Sequence, residues 1–203
     1  MDRRVIKRGM AEMAGIDLDG AKTGKQTGLP EPRLRPAGFE TLFATIVSQQ
    51  ISTEAARAIR ERVVALMGDV TPQALIRVKP ETLREAGMSF RKIDYARGLA
   101  QAIVDGELDI EAMRKQSDQE VIEAITTLRG FGVWSAEIYL MFSLRRRDVF
   151  PAGDLALRSA LGRLKGVGEK LSEKEARELV EHWTPWRSVG SLFLWHYYRG
   201  APG

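Results

Sequence analysis

The chain has 203 residues, 44% of them hydrophobic, and a net charge of +4 from 31 Lys and Arg against 27 Asp and Glu. That suffices for one large domain or two small lobes, and it allows an anionic partner without requiring one. With no cysteine and only two histidines, His182 and His196, the chain excludes disulfides, cysteine nucleophiles, thiolate zinc, a cysteine-ligated iron–sulfur cluster and a three-histidine metal site; no apolar run approaches the roughly 18 residues of a membrane span.

Taken in order, nearly every segment reads as helix with explicit stop signals, so the expected fold class is all-α. Gly20 to Ala37 carries three prolines and several glycines and reads as a loop or extended connector. Phe39, Leu42, Phe43, Ile46 and Val47 fall on one helical face. A second helix starts at Ser52 as N-cap and stops before Gly68. Thr71-Pro72 and Lys79-Pro80 open two short helices, the latter closed by Gly87. A longer helix runs from Phe90 to about Asp105. Ser117 with Glu120 forms a capping box for a helix through Thr127, and Ser172 with Glu175 another for a helix through His182. Trp186 to Tyr198 is a final aromatic-rich helix. There is no repeat of fixed period; LKGVGEKLS at Leu164 echoes LRGFG at Leu128 but lacks a long apolar helix directly after its glycines, so it reads as a loop.

Leu128 to Leu161 holds most of the chemistry. In Thr127-Leu128-Arg129-Gly130-Phe131-Gly132-Val133 two glycines allow backbone angles closed to other residues and leave the amides bare. Amides at a helix start, with the helix dipole, form a site for one phosphate, whereas the plain alternative is an ordinary turn between two helices. Further on, Pro151-Ala152-Gly153 delivers one carboxylate, Asp154. Asp154 reads equally as the N-cap of the helix beginning at Leu155.

Leu128 to Ala136 resembles the hairpin of the helix-hairpin-helix DNA glycosylase superfamily, and Val149 to Asp154 resembles its Gly/Pro loop and catalytic aspartate. FETLFATIVSQQIS at Phe39 and PWRSVGSLFLW at Pro185 agree, so the similarity runs from Phe39 to Gly200. Within the superfamily the chain is similar to the 3-methyladenine DNA glycosylase II group, in a compact form lacking the N-terminal β-rich domain of longer members. The resemblance implies two helical lobes flanking a cleft: residues 38–148 with the helix-hairpin-helix at 126–144, and residues 1–37 with 149–203, which carry the aspartate.

It also implies roles. Asp154 would stabilise the oxocarbenium character at C1′ and orient or deprotonate the attacking water. Gly130, Gly132 and Val133 would hold a DNA phosphate through their amides, and the carbonyls of Thr126, Leu128 and Phe131 a structural Na+ or K+; no other cofactor is required. Arg129 stands where the family often has proline. Bifunctional relatives carry a Schiff-base lysine two residues after the second glycine; here that residue is Trp134, which implies hydrolysis without AP lyase activity.

Trp134 and Trp195, with Ile138 in place of an aromatic found in some relatives, match base-pocket positions, although tryptophan in an apolar helix commonly serves packing. Electron-rich indoles attract a base made cationic by alkylation. Trp183 and Trp186 read as structural. Gln49-Gln50-Ile51 lies between two helices, and either Gln50 or Ile51 matches the wedge that fills the gap left by a flipped base; the plain reading is a polar turn. Among Arg145, Arg146 and Arg147, at least one is expected to touch a phosphate. The function implied is excision of alkylated bases such as 3-methyladenine and 7-methylguanine from double-stranded DNA, by a cytoplasmic monomer acting on the chromosome and not at a membrane. The alternatives are a non-catalytic helix-hairpin-helix module, or a glycosylase for a deaminated, oxidised or ring-methylated base.

Overall fold

The computed structural model describes residues 1–168 and 170–200. Glu169 of the LKGVGEKLS loop and the last three residues of the expected second lobe, 201–203, lie outside the described residues. Among the described residues all regular structure is helical: α1 (Arg3–Met13), α2 (Leu18–Thr27), α3 (Phe39–Ser48), α4 (Thr53–Met67), α5 (Pro72–Arg77), α6 (Pro80–Glu85), α7 (Phe90–Val104), α8 (Asp118–Thr126), α9 (Val133–Phe142), α10 (Leu155–Lys165), α11 (Glu173–Leu179) and α12 (Arg187–Gly200), with single 3-10 turns at Ala112–Arg114 and Glu181–Trp183. None of these helices is long and apolar enough to cross a membrane.

The chain packs as two compact units, Arg35–Tyr139 and Met1–Leu34 with Leu140–Gly203. The sequence reading drew the division after residue 148; the packing draws it inside α9, so Arg145, Arg146 and Arg147 fall in the same unit as Asp154.

In the unit Arg35–Tyr139, α3 packs on α4 and α7, and α7 also carries α5 and α6. The apolar face expected of α3 is buried along its whole length, from Phe39 to Val47. The Ser52 and Thr71 side chains accept from the amides of Ala55 and Ala74, and Ser117 and Glu120 close the expected capping box. These devices satisfy helix-start amides that would otherwise lack partners.

In the other unit α12 packs against α1, α2 and α10. Two expectations change here. Residues 20–27, expected as loop, are the body of α2: Asp17 caps it by accepting from Gly20 N at 3.0 Å, and only the stretch beyond Gly28 is extended. The helix expected to reach His182 stops at Leu179 and gives way to a 3-10 turn that seats Trp183 in the core. The reason for both is one buried carboxylate. Asp17 Oδ2 accepts from Trp183 Nε1 at 2.6 Å and Lys165 Nζ at 2.7 Å, and lies 3.2 Å from His182 Nε2.

Burial alone would raise the Asp17 carboxyl, but the bonds from Gly20, Lys165 and Trp183 outweigh it and hold the group at about 2, against an ordinary 3.8. A depressed carboxylate stabilises the fold above its unfolded pKa, and that contribution is lost as pH falls through the folded value. Asp17→Asn should therefore lower stability at neutral pH by roughly 2 kcal/mol or more. Chemical denaturation from pH 7 to 2 should show the gap between the parent and variant chains closing below about pH 4.

Where α8 turns into α9, Gly130 has φ +93°, and a β-carbon there would collide with one edge of the Tyr95 ring of α7. Strain and overlap act together, so Gly130→Ala should cost at least about 2 kcal/mol, read as a lowered denaturant midpoint.

Candidate functional site

The hairpin lies within the unit Arg35–Tyr139. Phe131 N donates to the Leu128 carbonyl at 3.2 Å, and the Gly132 carbonyl accepts from the amides of Ser135 and Ala136, which starts α9. Gly132, Val133 and Trp134 are exposed, and their amides have no backbone acceptor among the described residues. A row of bare amides at the start of a ten-residue helix is a ready anion site. The two glycines have different reasons. Gly130 alone takes a left-handed backbone, whereas Gly132 does not, and a β-carbon on Gly132 would meet nothing within 4 Å. The expectation that both glycines serve backbone freedom is corrected: at Gly132 the open space lies above the amides. No backbone amide among the described residues donates to the carbonyls of Thr126 or Phe131.

Trp134, in the first turn of α9, is 43% exposed. Ile138, one turn on, is buried, as is Tyr139, whose hydroxyl accepts from Gly38 N at 2.9 Å. Burial raises the Tyr139 hydroxyl above its ordinary range.

The turn between α3 and α4 presents Gln50 and Ile51 to solvent, with Gln50 at φ +57°, an uncommon conformation for a non-glycine residue. Beneath them Gln49 Nε2 donates to the Gly130 carbonyl at 2.7 Å, and Lys92 Nζ to the Val47 carbonyl at 2.7 Å. Burial lowers the Lys92 ammonium below its ordinary range. Arg129 forms a two-armed ion pair with Asp94, at 2.9 and 3.0 Å. The first half of α7 thus supports both turns, through Lys92, Asp94 and Tyr95.

The unit containing both termini holds Asp154, Trp195 and the three arginines. Asp154 is the N-cap of α10: its Oδ1 accepts from Leu157 N at 3.0 Å, while Oδ2 has no hydrogen-bond partner among the described residues. The carboxylate is only half-buried. The loop that carries it is anchored at several points. Asp148 pairs with Arg187 through two bonds of 2.8 Å, the Ser188 hydroxyl accepts from Val149 N and donates to its carbonyl, and Arg177 donates to the Phe150 carbonyl at 2.9 Å. Burial would raise the Asp148 carboxyl, but the Arg187 guanidinium holds it below the usual carboxylate range.

Trp195 lies 5.9 Å, centroid to centroid, from Phe142, and the Arg33 guanidinium stands 5.8 Å from its ring centre. Together with Pro30, Glu31, Leu192, His196 and Arg199, Trp195 and Arg33 line a cleft in this unit. Arg145 is exposed at φ +60°, the Arg146 amide donates to the Leu140 carbonyl, and Arg147 lies over the Trp186 ring at 5.3 Å. Trp183 and Trp186 are buried and bonded to Asp17 and Glu12, which is the structural role expected of them.

Sequence reading missed the residues that hold these turns. Asp148, Arg187 and Ser188 left a faint signal, since the first lies six residues before Asp154 and the others open a recognised motif. Gln49, Lys92 and Tyr95 left none, because their partners are 45 and 81 residues away or are created by the turn itself.

The chain is similar to known proteins in sequence and in fold. Residues 43–185 match the HhH-GPD superfamily of base excision DNA repair proteins. DNA-3-methyladenine glycosylase 1 of Schizosaccharomyces pombe is 31% identical over 193 residues, covering 90% of this chain and 83% of the relative. A DNA-3-methyladenine glycosidase from Bacillus halodurans superposes with a TM-score of 0.80 at 38% identity, over 86% of this chain and 81% of that one. The 3-methyladenine DNA glycosylase of Schizosaccharomyces pombe in complex with abasic DNA does so with a TM-score of 0.84 at 29% identity, over 96% and 98% of the two chains. On these matches the chain belongs to the HhH-GPD superfamily of base excision DNA repair proteins.

Proposed function

We propose that the protein is a monofunctional DNA glycosylase that hydrolyses the N-glycosidic bond of alkylated bases, 3-methyladenine and 7-methylguanine among them, in double-stranded DNA. The observation that carries this reading is the division of labour at Asp154: one carboxylate oxygen caps α10 and fixes the group, and the other has no partner among the described residues. As the C1′–N bond breaks, the base leaves with the bonding electrons and positive charge grows on the sugar. A fixed carboxylate stabilises that charge and orients or deprotonates the water that attacks C1′. The relatives named for 3-methyladenine excision support the substrate class.

A base alkylated at N3 or N7 is cationic and leaves as a neutral molecule, so it needs modest chemical help and an electron-rich wall. Trp134 offers an exposed indole, and Trp195 already has a guanidinium over its ring. Gln50 or Ile51 would fill the space left in the duplex. Bare amides at Gly132 and Val133 would take one phosphate; in the other unit, at least one of Arg145, Arg146 and Arg147 would touch a phosphate. The carbonyls of Thr126, Leu128 and Phe131 would hold a structural Na+ or K+, the Leu128 carbonyl while also accepting from Phe131 N.

Asp154→Asn is the direct test, because asparagine is as good an N-cap as aspartate and preserves the helix start. Purified protein should release free methylated bases from methylated DNA, and the variant should do so at least about a hundredfold more slowly at an unchanged unfolding midpoint. Strand scission without heat or alkali, or a borohydride-trapped covalent complex, would overturn the monofunctional assignment. No release from any lesion, with abasic-analogue DNA bound no better than plain duplex, would make the protein a binding module.

Gly132→Ala meets no steric obstacle in the fold. It should leave stability within about 1 kcal/mol of the parent yet weaken binding to abasic-analogue DNA, measured by fluorescence anisotropy.

A further inference from the structure

The candidate wedge turn and the candidate phosphate-binding hairpin lie some 80 positions apart along the sequence. In this chain they are joined. Gln49, immediately before the candidate wedge, reaches 81 positions along the sequence to donate to the Gly130 carbonyl at 2.7 Å. Gly130 is the residue whose left-handed backbone sets the hairpin, and it is pressed on Tyr95 of α7. The wedge turn is held at its other end by Lys92, also on α7, which donates to the Val47 carbonyl. Gln50 itself sits at φ +57°, a conformation that persists in a non-glycine residue only where its surroundings impose it.

We infer that Gln49 is a positioning residue that locks the wedge to the hairpin, so that seating a phosphate on the hairpin also fixes how far Gln50 and Ile51 enter the duplex. This rests on the glycosylase reading above. The amide of Gln49 touches neither the sugar nor the base; it acts through Gln50 and Ile51. Its loss leaves the phosphate site and Asp154 in place and lets the wedge waver, so extrusion of a paired base slows while the chemistry on an already extruded base does not. The side-chain amide is suited to this because it spans from one turn to the other and ends in a donor aimed at a carbonyl that accepts from no backbone amide among the described residues.

The test compares the parent chain with Gln49→Met, of similar length but without a donor, and Gln49→Lys, which restores one. Single-turnover release of 7-methylguanine is measured from a duplex with the lesion paired and from one with the lesion opposite an abasic-site analogue, and 2-aminopurine beside the lesion reports extrusion. Gln49→Met should slow release from the paired lesion by about three- to tenfold, the range expected for one hydrogen bond, with a matching loss of 2-aminopurine signal. Release from the unpaired lesion and binding to undamaged duplex should change by less than about twofold, and Gln49→Lys should recover most of the loss. Equal slowing on both substrates, or no slowing on the paired one, overturns the inference while leaving the glycosylase reading intact. Failure of the parent chain to release any base overturns both. Should Gln49→Met not fold, Gln49→Glu, which turns the donor into an acceptor at the same length, carries the comparison with the same outcomes.

Discussion

The carboxylate of Asp17 is the point on which the unit containing both termini depends. Buried and ionised, it would be costly to leave alone, and its two oxygens gather a backbone amide of α2, the lysine at the end of α10 and the indole of Trp183. α10 begins at Asp154, and α12, which follows Trp183, carries Trp195. The same carboxylate therefore sets the register of the helix that presents the acid and of the segment leading to the helix that presents the indole. A salt bridge at the surface could not do this, because two solvated side chains impose little geometry. Here the lysine is largely covered and the aspartate almost completely so.

A second constraint works at shorter range. Asp154 sits at the end of an irregular loop, and irregular backbone is mobile unless tied. The Asp148–Arg187 pair, the reciprocal bonds of Ser188 with Val149 and the Arg177 bond to Phe150 tie it to α12 and α11. The N-cap bond then fixes the carboxylate plane. In the unit Arg35–Tyr139, α7 plays the corresponding part for two turns at once, with a lysine under one and an aspartate and a tyrosine under the other.

How much of this was legible in the sequence depended on distance along the chain. Caps at Ser52, Ser117, Asp154 and Ser172 were readable because donor and acceptor lie three residues apart. The buried face of α3 was readable from its spacing. α2 was missed because its glycines argue for a loop, and the interaction that overrides them joins Asp17 to Lys165 and Trp183, some 150 residues away. At the candidate site, the residue types at Asp154, Trp134 and Gln50 could be picked out by resemblance. Their supports could not, since Gln49 in a turn and Lys92 and Tyr95 on α7 are ordinary residues until the fold puts a carbonyl or a glycine beside them. The differing roles of the two hairpin glycines were likewise invisible, because the letter G does not reveal whether a side chain is excluded by backbone angle, by a neighbour or by neither.

The stretch PWRSVGSLFLW, which helped to place this chain in its family, has most of its residues committed to the fold. Trp186 is bonded to Glu12, Arg187 to Asp148 and Ser188 to Val149. Gly190 lies so close under Trp183 that a β-carbon would collide with its ring, and Leu192, Phe193 and Leu194 are buried. At Leu192 and Trp195 the motif reaches a cleft. A descendant that had lost its catalytic carboxylate would thus be under the same pressure to keep this motif, and a search that scores it highly detects the scaffold of a glycosylase rather than the reaction. On the proposed mechanism, the residue that separates a working enzyme from an inactive descendant is the one at position 154.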